Sequence, residues 1–256
     1  MKLRVLGCSG GVAAGLETTS FLIDGDILLD SGTGVAGLTM EELLQVKDIF
    51  ITHSHLDHIA GLPLIVDTLF GNQTEALRVH AHPVTIKALM DHIFNWVIWP
   101  DFTEIEFKGL KAVEFIPMEH GEVLEIRGRS IEMIPVAHTV PCVAYRVENL
   151  ENGKALAFSG DTATNDTLWP ALNKHDSLDM LLIECGFPDS YADIAELSKH
   201  YCPKTLAEDL EKLKFDPPIG ISHLKPGHEA GIVWEIAEAF PGHNVLRLVN
   251  GDEFEL

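Results

Sequence analysis

An α/β sandwich, with helices packed outside two paired sheets, is the fold class that the sequence predicts. Both halves of the chain alternate short apolar runs, typical of strands, with longer segments of helical pattern. Glycine-rich and Asp-Gly turns separate the first runs, and Asn152-Gly153 predicts a hairpin in the second half. With 256 residues, 46% of them hydrophobic, and no repeat or linker, residues 1–256 are expected to form a single domain.

In the first half, apolar runs bounded by turn residues predict strands over 3–7, 20–23, 27–30, 48–52 and 77–80. Thr39 and Glu42 have the spacing of a capping box, which predicts a short helix over 40–46. The apolar run over 59–70 predicts a buried helix. Pro83 suits the first turn of another helix, which the pattern extends to residue 94.

The second half continues the alternation of strands and helices. The predicted strands cover 112–117, 130–136, 142–148, 154–159, 179–184, 218–222 and 244–249. The predicted helices cover 166–173, 203–214 and 229–240. The strands over 142–148 and 154–159 should pair through the Asn152-Gly153 turn.

The charge balance bears on the class of partner. Acidic residues outnumber basic ones by 39 to 18, which gives a formal net charge of −21. A surface this negative repels phosphate backbones, whereas nucleic-acid binders usually have the opposite bias. We therefore expect a small-molecule substrate and no long nucleic acid.

Three further features bear on the compartment. No apolar run reaches the roughly 18 residues that span a bilayer, and nothing at the start resembles a secretion signal. The four cysteines lie far apart without a Cys-x-x-Cys pair, which is typical of reduced thiols. The expectation is a cytoplasmic protein that does not enter a membrane.

A dense histidine motif follows the predicted strand over 48–52 and reads His53-Ser54-His55-Leu56-Asp57-His58. Histidines two apart in an extended chain point to one side, so His53 and His55 can hold one cation together. Asp57 and His58 lie where the chain turns into a helix and offer an oxygen and a nitrogen to a second cation. The motif therefore predicts a metal centre, since chance rarely produces such a pattern.

The order of these residues resembles the metallo-β-lactamase superfamily, in which His-x-His-x-Asp-His is followed by a further His, an Asp and a final His, each at the end of a strand. His138, Asp161 and His223 match those positions. The resemblance implies an αββα sandwich of two mixed sheets flanked by helices. It also implies that His53, His55 and His138 hold one metal, that Asp57, His58 and His223 hold another, and that Asp161 bridges the two.

The implied cofactors are two divalent ions. Neutral imidazoles and carboxylates suit zinc, although manganese or iron fits the same ligands. Asp30, at the end of the strand over 27–30, matches a superfamily position that hydrogen-bonds a ligand histidine. An acidic turn at the end of that strand is the alternative explanation for Asp30.

Two cations about 3.5–4 Å apart acidify a shared water and stabilise both oxygens of an in-line displacement, which suits phosphate-ester hydrolysis. A general acid should protonate the departing sugar oxygen. Glu184 and His200 resemble the Glu and His pair of the transfer-RNA 3′-processing members. Asp57, Glu184 and His200 are thus the candidate catalytic residues, although a strand-end charge and a surface histidine would explain Glu184 and His200 without catalysis.

The motif over 53–62 resembles the signature of class II cyclic-nucleotide phosphodiesterases, as do the segments around His138, Asp161 and His223. Residues 63–68 depart from that signature, so the substrate stays open at this point. The resemblance implies hydrolysis of cyclic AMP or cyclic GMP to the 5′-monophosphate through a hydroxide that bridges the metals, and a homodimer is a family-level expectation.

Candidate substrate contacts lie in two places. The aromatic-rich segment over 94–102 could stack a purine on Trp99, with Asn95 or Asp101 reading its edge. Lys225, just beyond His223, could reach a phosphate oxygen. A satellite core or a dimer contact is the alternative for the aromatic segment, and an exposed lysine is the alternative for Lys225.

Two other activities compete with cyclic-nucleotide hydrolysis. A transfer-RNA 3′-processing endonuclease of the RNase Z type would share the metals, but it needs a basic, flexible arm that we do not find in the sequence. A lactonase or thioesterase of the same fold would use the same activated water on a carbonyl group. A non-catalytic sensor is disfavoured because all seven candidate ligands are present.

Overall fold

The computed structural model describes residues 1–256 and contains sixteen strands and eight α-helices. The strands are β1 (Lys2–Gly7), β2 (Ser20–Ile23), β3 (Ile27–Leu29), β4 (Asp48–Phe50), β5 (Leu77–Ala81), β6 (Glu106–Phe107), β7 (Leu110–Lys111), β8 (Val113–Pro117), β9 (Val123–Ile126), β10 (Arg129–Val136), β11 (Cys142–Asn149), β12 (Ala155–Phe158), β13 (Met180–Glu184), β14 (Ile219–Ser222), β15 (Val245–Arg247) and β16 (Glu253–Glu255). The helices are α1 (Met40–Gln45), α2 (Leu56–Ile59), α3 (Leu62–Leu69), α4 (Pro83–His92), α5 (Leu168–Leu172), α6 (Ala192–Ser198), α7 (Pro203–Leu210) and α8 (Glu229–Ala239). None of the helices combines the length and the apolar character that crossing a membrane requires.

Two seven-stranded mixed sheets form the centre of the molecule, which confirms the predicted fold class. The first has the order β16-β1-β2-β3-β4-β5-β8, and the second has the order β15-β14-β13-β12-β11-β10-β9. All the predicted strands form, within two residues at either end. The predicted hairpin across Asn152-Gly153 is the antiparallel pair β11 and β12, and Thr39 caps α1 in the predicted capping box with Glu42.

The helices differ from prediction in two places. The helix expected over 59–70 is two helices, α2 and α3, because Gly61 donates its N–H to Ser31 O and Pro63 has none to donate. The helix expected over 203–214 ends at Leu210, where the N–H groups of Lys212 and Leu213 bond carbonyls three residues back instead of four.

Five elements were not predicted: β6, β7, β9, β16 and α6. β6 and β7 have only two residues each. Glutamates interrupt β9 and β16, and α6 buries only Ala195, so none of these segments has the apolar pattern that marks a strand or helix.

Strand direction brings the loops that carry the candidate site residues to one edge of the two sheets. In the first sheet β1, β3, β4, β5 and β8 run the same way, because β1 and β3 each pair antiparallel with β2 and the others are parallel to β3. In the second sheet β10, β12, β13, β14 and β15 likewise share one direction. The carboxyl ends of parallel strands meet at one edge, which is where sites form in such folds.

Aromatic residues in the core hold the two sheets face to face. Phe21 of the first sheet contacts Phe158 of the second, with ring centroids 5.0 Å apart. Tyr145 of β11 packs against Phe50 and donates its hydroxyl to Ile51 O at 2.9 Å. Because Ile51 directly follows β4, these contacts fix the start of the histidine motif against the second sheet.

A buried carboxylate ties the sheets together at the opposite edge. Asp48, the first residue of β4, is fully buried and accepts hydrogen bonds from Arg78, His80 and Arg127 at 2.7 to 2.8 Å. Arg127 comes from the turn between β9 and β10 of the second sheet. Burial opposes ionisation, but the bonds from His80, Arg78 and Arg127 outweigh it and hold the pKa of Asp48 below its usual value.

Replacing Asp48 with asparagine should lower the free energy of unfolding by about 3 kcal/mol, because two arginines lose the charge that compensates them. A carboxylate with a depressed folded pKa stabilises above its unfolded pKa of about 3.9 and loses that effect as pH falls. Urea unfolding at pH 7 and pH 3 should therefore show a smaller difference in the free energy of unfolding between wild type and Asp48→Asn at pH 3. Asp91→Asn, at the exposed Lys87–Asp91 pair, is the control and should change stability little; equal effects of the two substitutions would contradict the prediction.

Candidate metal centre

Each candidate ligand lies just beyond the carboxyl end of a strand, at the shared edge of the two sheets. The motif over 53–58 follows β4 of the first sheet, whereas His138 follows β10, Asp161 follows β12 and His223 follows β14 of the second. The side chains of His53, His58, His138, Asp161 and His223 are buried, and that of Asp57 is 27% exposed at the rim. Residues separated by up to 170 positions (53 to 223) thus meet in one place.

The first group consists of His53, His55, His138 and Asp161, whose ligand atoms all lie within 4.8 Å of one another. His138 Nε2 is 3.2 Å from His55 Nδ1. Asp161 Oδ2 is 3.7 Å from His53 Nε2 and 3.9 Å from His138 Nε2. Three imidazole nitrogens and one carboxylate oxygen are a suitable donor set for a transition metal.

The second group consists of Asp57, His58, His223 and again Asp161, within the same limit of 4.8 Å. Asp161 Oδ1 lies 3.3 Å from both His58 Nε2 and His223 Nδ1. Asp57 Oδ2 is 3.9 Å from His58 Nε2 and 3.8 Å from His223 Nε2. Asp161 therefore turns one oxygen toward each group, which is the arrangement a shared ligand requires.

Unsatisfied buried atoms provide a test of whether these residues fit a cation. His53 Nε2, His58 Nε2 and His223 Nδ1 are buried and have no hydrogen-bond partner, and all three face Asp161. Leaving a buried polar atom without a partner costs about 1–3 kcal/mol. Because three such atoms converge on one carboxylate, the residues present fit divalent cations.

Hydrogen bonds on the far side of two rings set which nitrogen faces the centre. Asp30 Oδ2 is 2.6 Å from His58 Nδ1, so Nδ1 donates and Nε2 is left toward Asp161. Thr52 donates its hydroxyl to Asp30 Oδ2 at 2.8 Å, and its oxygen lies 3.0 Å from His53 Nδ1. Sequence reasoning named Asp30 but missed Thr52, whose only signal is a polar residue at the end of an apolar run. Carboxylates in this role fix the tautomer of a ligand histidine.

A backbone group does the same for His138. Its Nδ1 donates to Lys199 O at 3.0 Å, and Lys199 Nζ returns to His138 O at 3.1 Å. Lys199 ends α6 in the left-handed region, with φ 54°, and this turns its carbonyl toward His138. A carbonyl carries no residue-type signal, so the sequence could not have indicated this contact.

Electrostatics keep most of the rings in the neutral form that binds metals. Burial lowers the pKa values of His53 and His223 well below the ordinary value, and it lowers that of His138 to about 4. Burial also favours the neutral acid at Asp161, but the surrounding histidines, His223 foremost, hold its pKa well below its usual range. The centre thus combines an ionised carboxylate with neutral imidazoles at His53, His138 and His223. At His58 burial disfavours the charged ring, but Asp161 and Asp30 outweigh it and raise the pKa well above the ordinary value.

A glutamate–histidine pair adjoins the centre. Glu184 ends β13, and its Oε1 accepts from His200 Nδ1 at 2.7 Å and from Thr162 N at 3.0 Å. The His200 ring lies 5.0 Å from the rings of both His138 and His223. Burial disfavours the charged ring, but the Glu184 carboxylate outweighs it and raises the pKa of His200. Because the hydrogen bond to Glu184 uses His200 Nδ1, the ring is held with Nε2 not bonded to Glu184.

Lys225 lies at the centre, but its ammonium group already has partners. Nζ donates to Gly10 O at 2.9 Å and lies 3.0 Å from His223 Nε2. The glycine-rich loop after β1 is packed tightly here, since a Cβ on Gly10 would lie 2.5 Å from His223 O. Lys225 therefore links this loop to a candidate ligand, and reaching a phosphate would require it to give up a contact.

The other candidate substrate contacts lie elsewhere. The segment between α4 and β8 ends beside the start of β5, where the side chain of Gln73 and the N–H of Leu77 both donate to Ala112 O. The start of β5 lies at the sheet edge opposite the centre. Asn95 Oδ1 accepts from Val97 N and Ile98 N, and Asp101 Oδ1 accepts from Thr103. Trp99 packs on the core of the first sheet. The prediction that these residues bind substrate is corrected: they build their own turn, because α4 carries the chain away from the centre.

Two facing mixed sheets with histidines and aspartates gathered at one edge define a metallo-hydrolase of the sandwich type. Residues 26–239 match the family model described as a beta-lactamase superfamily domain. The chain belongs to the β-lactamase superfamily, as the order of its histidine and aspartate motifs predicted.

Individual relatives refine this classification. A probable 3′,5′-cyclic-nucleotide phosphodiesterase of Yersinia pestis is 27% identical, over 90% of this chain and 80% of that protein. A ribonuclease Z of Methanococcus maripaludis is also 27% identical, but over 57% of this chain and 48% of that protein. The crystal structure of unliganded yeast PDE1 superposes with a TM-score of 0.83 at 18% identity, covering 100% of this chain and 99% of that one. The structural likeness concerns the fold, and the predicted similarity to cyclic-nucleotide phosphodiesterases is confirmed.

Proposed function

We propose that the chain hydrolyses the cyclic phosphodiester of cyclic AMP or cyclic GMP to the 5′-monophosphate, with two divalent cations as cofactors. One observation carries the proposal: Asp161 turns its two oxygens to two separate ligand groups, and the Glu184–His200 pair stands beside both. The similarity to the Yersinia phosphodiesterase supports the choice of substrate.

The residues that would hold the cations fall into the two groups described. His53, His55 and His138 would hold one, Asp57, His58 and His223 would hold the other, and Asp161 would serve both. A pair of divalent cations supplies Lewis acidity and activates water at neutral pH. Zinc suits these donors, and manganese and iron are compatible with them.

His200 is proposed as the general acid. Water adds to phosphorus and gives up a proton to solvent, the bond from phosphorus to the 3′ oxygen breaks, and that oxygen takes a proton from His200 Nε2, which solvent then restores. A sugar oxygen is a poor leaving group, so its protonation should contribute substantially to the rate. Glu184 acts through His200, since its hydrogen bond to Nδ1 fixes the ring with Nε2 available.

The net charge favours a small phosphodiester as the substrate over transfer-RNA precursors, which are the substrates of an RNase Z-type endonuclease. The formal net charge of −21 opposes a polyanion, and the similarity to ribonuclease Z covers only part of the chain. We also propose a reducing compartment such as the cytoplasm, because all four cysteines are buried free thiols.

The proposal is tested with zinc- or manganese-loaded protein and five substrates: cyclic AMP, cyclic GMP, a transfer-RNA precursor, a lactone and bis-(p-nitrophenyl) phosphate. A cyclic nucleotide should be hydrolysed with the highest kcat/KM, to the 5′-monophosphate. Turnover of the lactone alone would reject a phosphodiesterase, and preference for the precursor RNA would identify a processing endonuclease.

A further inference from the structure

We propose that Phe187 is the surface on which the substrate's base stacks, an assignment that rests on the proposed hydrolysis of a cyclic nucleotide. Phe187 follows β13 at the same sheet edge as the metal centre. Its side chain is half-buried, so one part of the ring is held by the protein and another is accessible. Its ring centroid lies 5.8 Å from that of His200, with the planes tilted by 59°.

His200 adjoins both the metal centre and Phe187, and this shared contact gives the direction of the substrate. The His200 ring is 5.0 Å from the rings of His138 and His223 and 5.8 Å from that of Phe187. If His200 protonates the 3′ oxygen, the sugar must contact His200. The base, attached to the same sugar, then extends beyond this histidine, and an aromatic ring there can stack any base.

Local bonds hold Phe187 in place before any substrate arrives. Phe187 N donates to Tyr201 O at 3.3 Å, and Gly186 O accepts from Lys225 N at 3.2 Å. Gly186 permits the close approach, since a Cβ there would lie 3.2 Å from His200 Cβ. Phe187 and the residue before it are thus tied to the segment that carries His200 and to Lys225, and a residue held in this way loses little entropy on binding.

A cavity beside His200 is the alternative place for the base. It is a cavity of about 420 Å³ lined by residues that include Ala163, Ala192, Glu196 and Thr205. Apart from His200 it has no aromatic ring, and Asp193 and Glu196 make it acidic. Phe187 offers the stacking surface that this cavity lacks, so the base is assigned to Phe187.

The test separates the base from the phosphate by measuring Kd, through calorimetry on zinc-loaded protein, for AMP and for ribose 5-phosphate. Wild type should bind AMP more tightly than ribose 5-phosphate. In Phe187→Ala that preference should fall roughly 5- to 150-fold, the range expected for the loss of one base–aromatic stack. Phe187→Leu, which fills the space without a ring, should lose most of the same preference and guards against a folding defect. Tyr191→Ala is the matched control, because Tyr191 is an exposed aromatic whose ring pairs with His228.

Several results would overturn the assignment. Equal weakening of both ligands in Phe187→Ala would indicate a structural role, and an unchanged preference would place the base elsewhere. Loss of the preference in Ala192→Phe, with none in Phe187→Ala, would place the base in the acidic cavity. If a cyclic nucleotide is hydrolysed and substitution of Phe187 has no effect on the preference for AMP, this inference alone is rejected. If wild type hydrolyses neither cyclic AMP nor cyclic GMP and does not prefer AMP, the proposed function is rejected with it.

Discussion

Asp161→Ala should abolish turnover and weaken metal binding at both groups at once. The reason is geometric: Oδ2 faces His53 and His138, while Oδ1 faces His58 and His223, so one substitution removes a ligand from each group. Loss of a residue that only orients a ligand typically costs 10- to 100-fold in metal affinity or activity, so we expect losses above about 100-fold here. Metal content by mass spectrometry and chelator competition should show neither ion retained.

Asp57→Ala is the matched control for this prediction. Asp57 belongs to the second group alone, so its loss should weaken one ion and leave the first group occupied. Thermal unfolding of the metal-free proteins should confirm that both variants fold. Full metal content and normal turnover in Asp161→Ala would show that the assigned ligands are wrong.

His200→Ala should lower kcat for a cyclic nucleotide by about 10²- to 10⁴-fold, the usual contribution of a general acid. The loss should be much smaller for bis-(p-nitrophenyl) phosphate, because p-nitrophenolate departs without a proton. Metal content should be unchanged, since His200 Nδ1 is bonded to Glu184 and lies outside the two ligand groups. Comparing kcat for the two substrates measures the protonation separately from any change in binding.

Two further variants sharpen the result. Glu184→Gln keeps a hydrogen-bond acceptor for His200 Nδ1 but removes the charge. Its kcat for the cyclic nucleotide should therefore lie between those of wild type and His200→Ala. His243→Ala is the control, because His243 is exposed and bonded to Asp216. Equal losses on both phosphodiesters in His200→Ala would reject the role of general acid.

Much of the fold and the centre of the site follow from short-range patterns. The spacing within residues 53–58, directly after a predicted strand, indicated the metal centre without any knowledge of the fold. The later candidates His138, Asp161 and His223 came from the resemblance to the metallo-β-lactamase superfamily, and each does follow a strand whose carboxyl end lies at the shared edge. Hydrophobic periodicity and motif spacing are properties of the local chain, so they can be recognised in the sequence.

The surroundings of these residues were decided by tertiary structure alone. The carbonyl of Lys199 on His138 and the hydroxyl of Thr52 between Asp30 and His53 depend on which strands neighbour one another.

The same reason explains the error at Asn95, Trp99 and Asp101, since aromatic composition does not say at which edge of the sheet a loop emerges. By itself the sequence determined which side chains could bind metal and the order in which the strands deliver them. The packing of one sheet on the other decided which backbone groups orient those side chains and which aromatic ring stands beside His200, because such contacts join segments far apart in the chain.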